Sequence, residues 1–347
     1  MAPSKPTSKT ITLEEIPAWM RDNHFIKTGY RRPQPSYSSC ILSLFTYLHN
    51  ESVNALSHLF GALAFAVLLA VTVAPTFFSR VYHLVCSDIV NDPDTTPIAI
   101  VRKYHLAPFY LISPFPSSAT PNVTWHDTLA IGTFLLSAVI CLLFSTTLHT
   151  LLCHSEAVAQ PTHKLDYVGI VILIVGSFVA ALRYAFFCDP HLQVFYISGV
   201  SLAGLAAAYT VLSPKYSRID VPFNRRLRTG VFMALGLFAV FPILHALQLY
   251  GISKTIEHFS MGWLSLSGAL YIIGGLMYAE RVPERFTPGT FDIFGSSHQI
   301  FHFLILLAAT AHYAAVSEGF RFWHGEAQGQ CVGYGTGDAF KRMEGEL

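Results

Sequence analysis

The sequence specifies an all-α integral membrane protein, a bundle of seven transmembrane helices, and two observations point to that class. Of the 347 residues, 52% are hydrophobic and 12% are charged, where a soluble domain carries about 25% charged residues. The apolar residues are also gathered into runs of about 20, the length a helix needs to cross hydrocarbon. Low charge alone would describe a sticky soluble protein. Low charge with runs of that length describes a chain whose solvent is lipid, where each ionised group at the bilayer centre costs several kcal/mol.

Seven runs qualify: 55–75, 127–152, 166–187, 193–212, 229–250, 262–279 and 296–316. Small residues inside them, such as Gly199, Gly204, Gly268 and Gly275, suit close helix packing. Residues 1–54 form a polar N-terminal segment without the apolar core of a signal peptide. Within it the stretch 13–27 mixes Ile16, Trp19, Met20, Phe25 and Ile26 with charges, which predicts a short amphipathic helix on the protein or membrane surface. Residues 55–316 make the membrane domain, and 317–347 form a tail. The connection 76–126 is the longest and is rich in proline without a clear period.

Orientation follows from the cations, because cytoplasmic loops carry an excess of Lys and Arg. With the N-terminus inside, 14 of the 22 Lys and Arg fall on the cytoplasmic side, five of them in the short loop 213–228. The tail at 317–347 then lies outside. So does the glycosylation triplet Asn122-Val-Thr124, while the triplet Asn50-Glu-Ser52 lies inside. The expected location is a plasma or internal membrane, crossed many times. A formal net charge of +1 gives no general attraction to nucleic acid. The six cysteines show no C-x-x-C pair, so neither a zinc finger nor a dithiol motif is expected. Cys86, Cys188 and Cys331 fall on one side. A disulfide among them is open, with an unpaired structural cysteine the default at each.

Ionisable residues inside spans carry the functional signal. The seventh span opens with His298-Gln-Ile-Phe-His302, and residues four apart share a helix face. With 16 histidines in the chain such a spacing arises by chance about 0.7 times. Depth gives it weight. The second span ends at the same level with Ser145 and His149, again four apart, and the third begins there with Asp166. Three histidines, a carboxylate and a hydroxyl thus converge at one depth. Three protein ligands with a fourth position open to water is the arrangement of catalytic zinc, and a nearby carboxylate can take a proton from that water.

Each residue also has a plainer reading. His298 and His302 could face headgroups, Asp166 could cap the third helix, and Ser145 could bond back to its own helix. Cys153, His154 and His163 lie in the loop after the second span and could be ligands, with solvated loop residues the favoured reading. His245, behind Pro242, either lines a cavity or bonds a kinked backbone, with the second favoured. Glu51, Asn54 and His58 repeat on one face of the first helix and knit it to neighbours. Arg183 either snorkels outward or binds an acidic lipid group.

Taken together, the stretches Asn50-Glu-Ser-Val-Asn-Ala-Leu-Ser-His58, Ser145 to His149 with Cys153-His-Ser-Glu156, Leu165-Asp-Tyr-Val-Gly-Ile170, and Glu280-Arg-Val-Pro-Glu-Arg-Phe286 continuing to Ser297-His-Gln-Ile-Phe-His302 resemble the progestin and adipoQ receptor family, also called haemolysin III-related. The likeness covers roughly residues 14–316 and is strongest to the adiponectin-receptor and fungal branch. It implies seven helices with the N-terminus inside. It also implies zinc held by His149, His298 and His302, with Asp166 near the water on the metal and Ser145 close by. The family resembles alkaline ceramidases in this arrangement, some members are described as ceramidases, and fungal members are tied to lipid and zinc homeostasis. The long 76–126 connection departs from adiponectin receptors, so an adiponectin-like ligand is not carried over. The expected function is hydrolysis of a ceramide-like lipid amide, with a membrane lipid or fatty acid as the bound partner. A receptor with structural zinc and an unknown extracellular ligand stays open beside it. A zinc transporter is disfavoured, because no ladder of ligands crosses the spans.

Overall fold

The computed structural model describes residues 8–86, 124–217, 221–327 and 330–331. Among these, seven helices are long and apolar enough to cross a membrane. They are α2 (Ser52–Cys86, its apolar part Ser52–Val73), α3 (Trp125–Leu151), α4 (Glu156–Ala185), α5 (Pro190–Leu212), the broken pair α6 (Pro222–Leu237) and α7 (Val240–Tyr250), α9 (Met261–Glu280) and α10 (Ser297–Arg321). A short helix α1 (Tyr37–Thr46) precedes them, and α8 (Ile252–His258) links α7 to α9. A π-helical turn, Phe322–Glu326, prolongs α10. The seven expected spans are all present. Asn122 and most of the 76–126 connection lie outside the described residues, although α2 continues to Cys86.

Packing follows from small residues and a lipid-facing exterior. A Cβ on Gly176 would sit 2.3 Å from the Ser137 hydroxyl oxygen, and one on Gly169 would sit 3.0 Å from the Cys141 Cα. Glycine at these two points lets α3 and α4 approach closely, the usual device where lipid offers no hydrophobic drive between helices. Phe134, Leu135, Leu142 and Leu173 fill the core of α2, α3, α4 and α10. Leu202, Leu205 and Tyr209 of α5 stand exposed, as side chains meant for lipid do.

The break between α6 and α7 has a local cause. Pro242 lacks the amide hydrogen that would meet the Phe238 carbonyl. Phe238 and Ala239 instead donate to Leu235 and Gly236 at 3.3 and 3.2 Å, three residues back. His245 neither lines the large cavity nor bonds this backbone; its Nδ1 pairs with the Tyr196 hydroxyl at 2.8 Å.

The N-terminal segment differs from its expectation. The stretch 13–27 contains only one 3₁₀ turn, Ala18–Met20. It is flanked by β1 (Thr10–Ile11), which pairs antiparallel with β2 (Tyr30–Arg31). Pro17, Asn23 and Gly29 interrupt any continuous helix, Gly29 at φ 80°. Ile16, Met20, Ile26 and Tyr30 are buried with Cys40 and Cys153. The segment is a folded stopper over one end of the bundle.

Two further expectations are corrected at the opposite end. Arg183 neither snorkels nor waits for a lipid: its Nε meets the fully buried Asp127 at 3.1 Å. His324 approaches the same carboxylate at 3.3 Å, and the Thr124 amide and hydroxyl donate to it at 2.9 and 2.8 Å. Cys188 and Cys331 are joined in a disulfide, so those two are not the unpaired structural residues expected by default.

Candidate metal centre

The site is built by three helix ends whose positions are set locally. α10 starts where Glu284 caps it: the Ser297 amide and hydroxyl both donate to that buried carboxylate, at 2.7 and 2.5 Å. A carboxylate suits the positive end of a helix. The Gln299 side chain adds a bond from the Gly295 amide at 2.7 Å. This cap fixes His298 and His302 in the first two turns. α3 ends where Arg31, 1% exposed, donates to the carbonyls of Thr150 at 2.9 Å and His149 at 2.5 Å. The last carbonyls of a helix lack partners within it, and a guanidinium satisfies them while matching the dipole.

His149, His298 and His302 come together, their ligand nitrogens all within 4.8 Å of one another. His149 and His302 are buried, at 2% and 1% exposure. The outer nitrogens are already assigned. His149 Nδ1 pairs with the Glu51 carboxylate at 2.6 Å, and His302 Nδ1 donates to the Asn54 carbonyl at 3.0 Å. The remaining His149 Nε2 is buried with no partner. An imidazole held by a carboxylate at one nitrogen and bare at the other is the usual state of a metal ligand. Three imidazoles suit zinc, copper, iron or nickel. The residues therefore fit a metal ion.

Glu51 joins the cluster as the partner of His149. Its place on a polar face of the first helix does not by itself aim it at that imidazole. Burial raises the Glu51 carboxyl, but the His149 hydrogen bond and nearby imidazoles outweigh that and hold it below the usual carboxylate range. His58 knits α2 to α10, as expected of that face. Its ring stacks on His302 at 3.6 Å between centroids.

Asp166 reaches the site by a route different from the one expected. α4 begins at Glu156 and runs through Pro161, so Asp166 lies three turns inside it and caps nothing. Its carboxylate interacts with Ser145, itself 2% exposed. Of the residues read as solvated loop, Cys153 is fully buried, its sulfur 3.6 Å from that of Cys40. His163 belongs to α4, and its Nε2 is buried without a partner.

Two cavities meet at this point. The larger, about 650 Å³ and mostly apolar, lies among α4, α6, α7, α9 and α10 and ends on Ser145, Asp166, His298 and His302. The smaller, about 70 Å³, lies between the bundle and the N-terminal stopper. Asp166 and His298 border both. Asp22, on the stopper side, bonds Arg281 at 2.5 Å. Burial raises its carboxyl, but the guanidinium more than offsets this and holds it at about 2.

The fold and site define a multi-pass membrane protein of seven helices with a three-histidine centre, able to hold a metal, at one end of an apolar cavity. The haemolysin III-related family pattern matches residues 46–313, and the chain belongs to that family. It is 38% identical over 310 residues to "Adiponectin receptor protein" of Drosophila melanogaster, covering 89% of this chain and 59% of the fly protein. It is 34% identical over 320 residues to "ADIPOR-like receptor IZH2" of Saccharomyces cerevisiae, covering 92% and 87%. It is 34% identical over 310 residues to "Heptahelical transmembrane protein 3" of Arabidopsis thaliana, covering 88% and 85%. The chain spans about three fifths of the length of the fly and nematode relatives it matches.

Proposed function

We propose that the protein is a zinc-dependent hydrolase of a lipid amide of the ceramide class. The observation that supports this most is the 650 Å³ apolar cavity ending on a carboxylate, Asp166, and on His298 and His302, two of the three clustered histidines. Its volume is in the range of ligand cavities, about 300–1,000 Å³, and its walls suit an acyl chain. Gly236 and Gly268 line it and have open space where a side chain would stand, which leaves room for an acyl chain. Zinc held by His149, His298 and His302 would lower the pKa of a bound water to about 7 and polarise an amide carbonyl.

The protein's own groups do the rest. Asp166 accepts a proton from the attacking water as its oxygen bonds to the carbonyl carbon. The same carboxyl returns that proton to the amide nitrogen as the C–N bond breaks, leaving a fatty acid and an amine. Ser145, beside Asp166 in the cavity lining, hydrogen-bonds the developing oxyanion or the water. The apolar wall holds the acyl chain and excludes water from it.

The test is fatty acid release from ceramide by the purified protein, with and without a chelator. Asp166→Asn should keep its zinc and lose about 10²–10⁴-fold in rate, the usual contribution of a general base. A zinc-loaded Asp166→Asn protein at the wild-type rate would sink the mechanism. A second reading, a receptor in which zinc is structural, is supported by the coupling of the stopper to the site through Glu51–His149, Arg31–His149 and Asp22–Arg281. No release from any ceramide, with wild-type zinc content, would favour that receptor.

A further inference from the structure

Hydrolysis consumes one water per turnover, and the large cavity is lined mostly by apolar side chains, so the polar side of the site is the better source of that water. That side is the small chamber of about 70 Å³ between the three-histidine centre and the stopper, with room for about two waters at roughly 30 Å³ each. Its lining residues carry buried polar atoms with no protein partner: Asp22 Oδ1, Asn54 Oδ1, His163 Nε2 and Arg281 Nε, besides His149 Nε2. Two of these accept, one donates, and an imidazole nitrogen does either according to its tautomer. Buried polar atoms left alone cost about 1–3 kcal/mol each, and a buried water typically meets two to four such partners.

We propose that this chamber is a water site serving the metal centre, and that His163 is its positioning residue, holding a water within reach of Asp166. The proposal rests on the hydrolytic reading for the use of the water, though not for its presence. His163 precedes Asp166 by three residues on α4, which puts both on one helix face, and both line the chamber. Met20, Ile26 and Tyr30 of the stopper close it on the far side, and the Asp22–Arg281 pair fastens that wall to the bundle. The water is therefore held beside the reacting centre, on the side away from the apolar cavity.

The test uses the full chain in lipid nanodiscs, zinc-loaded, with two variants, His163→Phe and His163→Gln. Brief radiolysis generates hydroxyl radicals from water in place, so a side chain beside a held water is labelled although bulk solvent does not reach it. Tyr30 and Tyr196 are each 6% exposed, but only Tyr30 lines the chamber. Tyr30 should label about tenfold faster than Tyr196 in the wild type, and the excess should vanish in His163→Phe, which fills the space, with zinc content unchanged. His163→Phe should also lower kcat for ceramide about tenfold at constant KM, and His163→Gln should recover most of both effects. Equal labelling of Tyr30 and Tyr196 in the wild type overturns the water site, even if His163→Phe fails to fold. A folded, zinc-loaded His163→Phe with wild-type kcat overturns the role of His163. Fast Tyr30 labelling in a wild-type protein that releases no fatty acid supports the water site and removes the hydrolase instead.

Discussion

Glu51 shows what a single residue contributes to the centre. Its carboxylate fixes which His149 nitrogen carries the proton, turning the bare Nε2 toward the metal position. Partners of this kind typically account for 10–100-fold in metal affinity. Glu51→Gln should therefore weaken zinc binding by about that factor, measured by competition with a chelator of known affinity, while His298→Ala with His302→Ala should abolish it. Unchanged affinity in Glu51→Gln would mean that His149 is oriented by its backbone alone. The histidines themselves were legible, because a spacing of four and a common depth are properties of one helix at a time. Glu51 and His163 were not, because their roles depend on which way one helix faces another and on a stopper with no helical period. Asp166 stands at the start of the third apolar run, yet α4 begins ten residues earlier, at Glu156, and runs through Pro161.

At the scale of elements, the bundle's end is held by side chains from outside the spans. Arg31 satisfies two carbonyls of α3 and also donates to Ser43 of α1 at 3.0 Å. Arg31→Met would leave these acceptors unpaired in a buried place, at about 1–3 kcal/mol each. It should lower the thermal midpoint of the purified protein by several degrees and loosen His149, so that zinc is lost at lower chelator concentration. A stable Arg31→Met with wild-type zinc retention would show that water replaces the guanidinium. Gly176→Leu should cost more, since its side chain must displace Ser137 or spread α3 from α4; helix separation would appear as loss of the folded, monodisperse protein in detergent. Span number was readable from hydropathy, whereas the stopper was not. Its apolar residues lie close together in sequence, and only the turns at Asn23 and Gly29 decide that they fold inward.

The molecule as a whole has two chemically different ends, and that difference fixes how it should lie in a membrane. The three-histidine end carries cation-rich loops, including Lys215, Arg225, Arg226 and Arg228, which favours the cytoplasmic side. The other end carries the Cys188–Cys331 disulfide, a bond that persists away from the reducing cytosol. These are independent signals, one from loop charge and one from sulfur chemistry, and they agree. Expressed in a eukaryotic membrane, the protein should then carry a glycan on Asn122 and none on Asn50. Asn50 has a second reason to stay bare, since it is only 9% exposed. Glycosidase digestion with peptide mapping checks both sites, and a non-reducing map checks the 188–331 crosslink in the same sample. A glycan on Asn50 would reverse the orientation, put the disulfide in a reducing compartment and turn the metal centre outward. A crosslinked peptide together with a glycan confined to Asn122 would place the centre, the stopper and its water site on the cytoplasmic face.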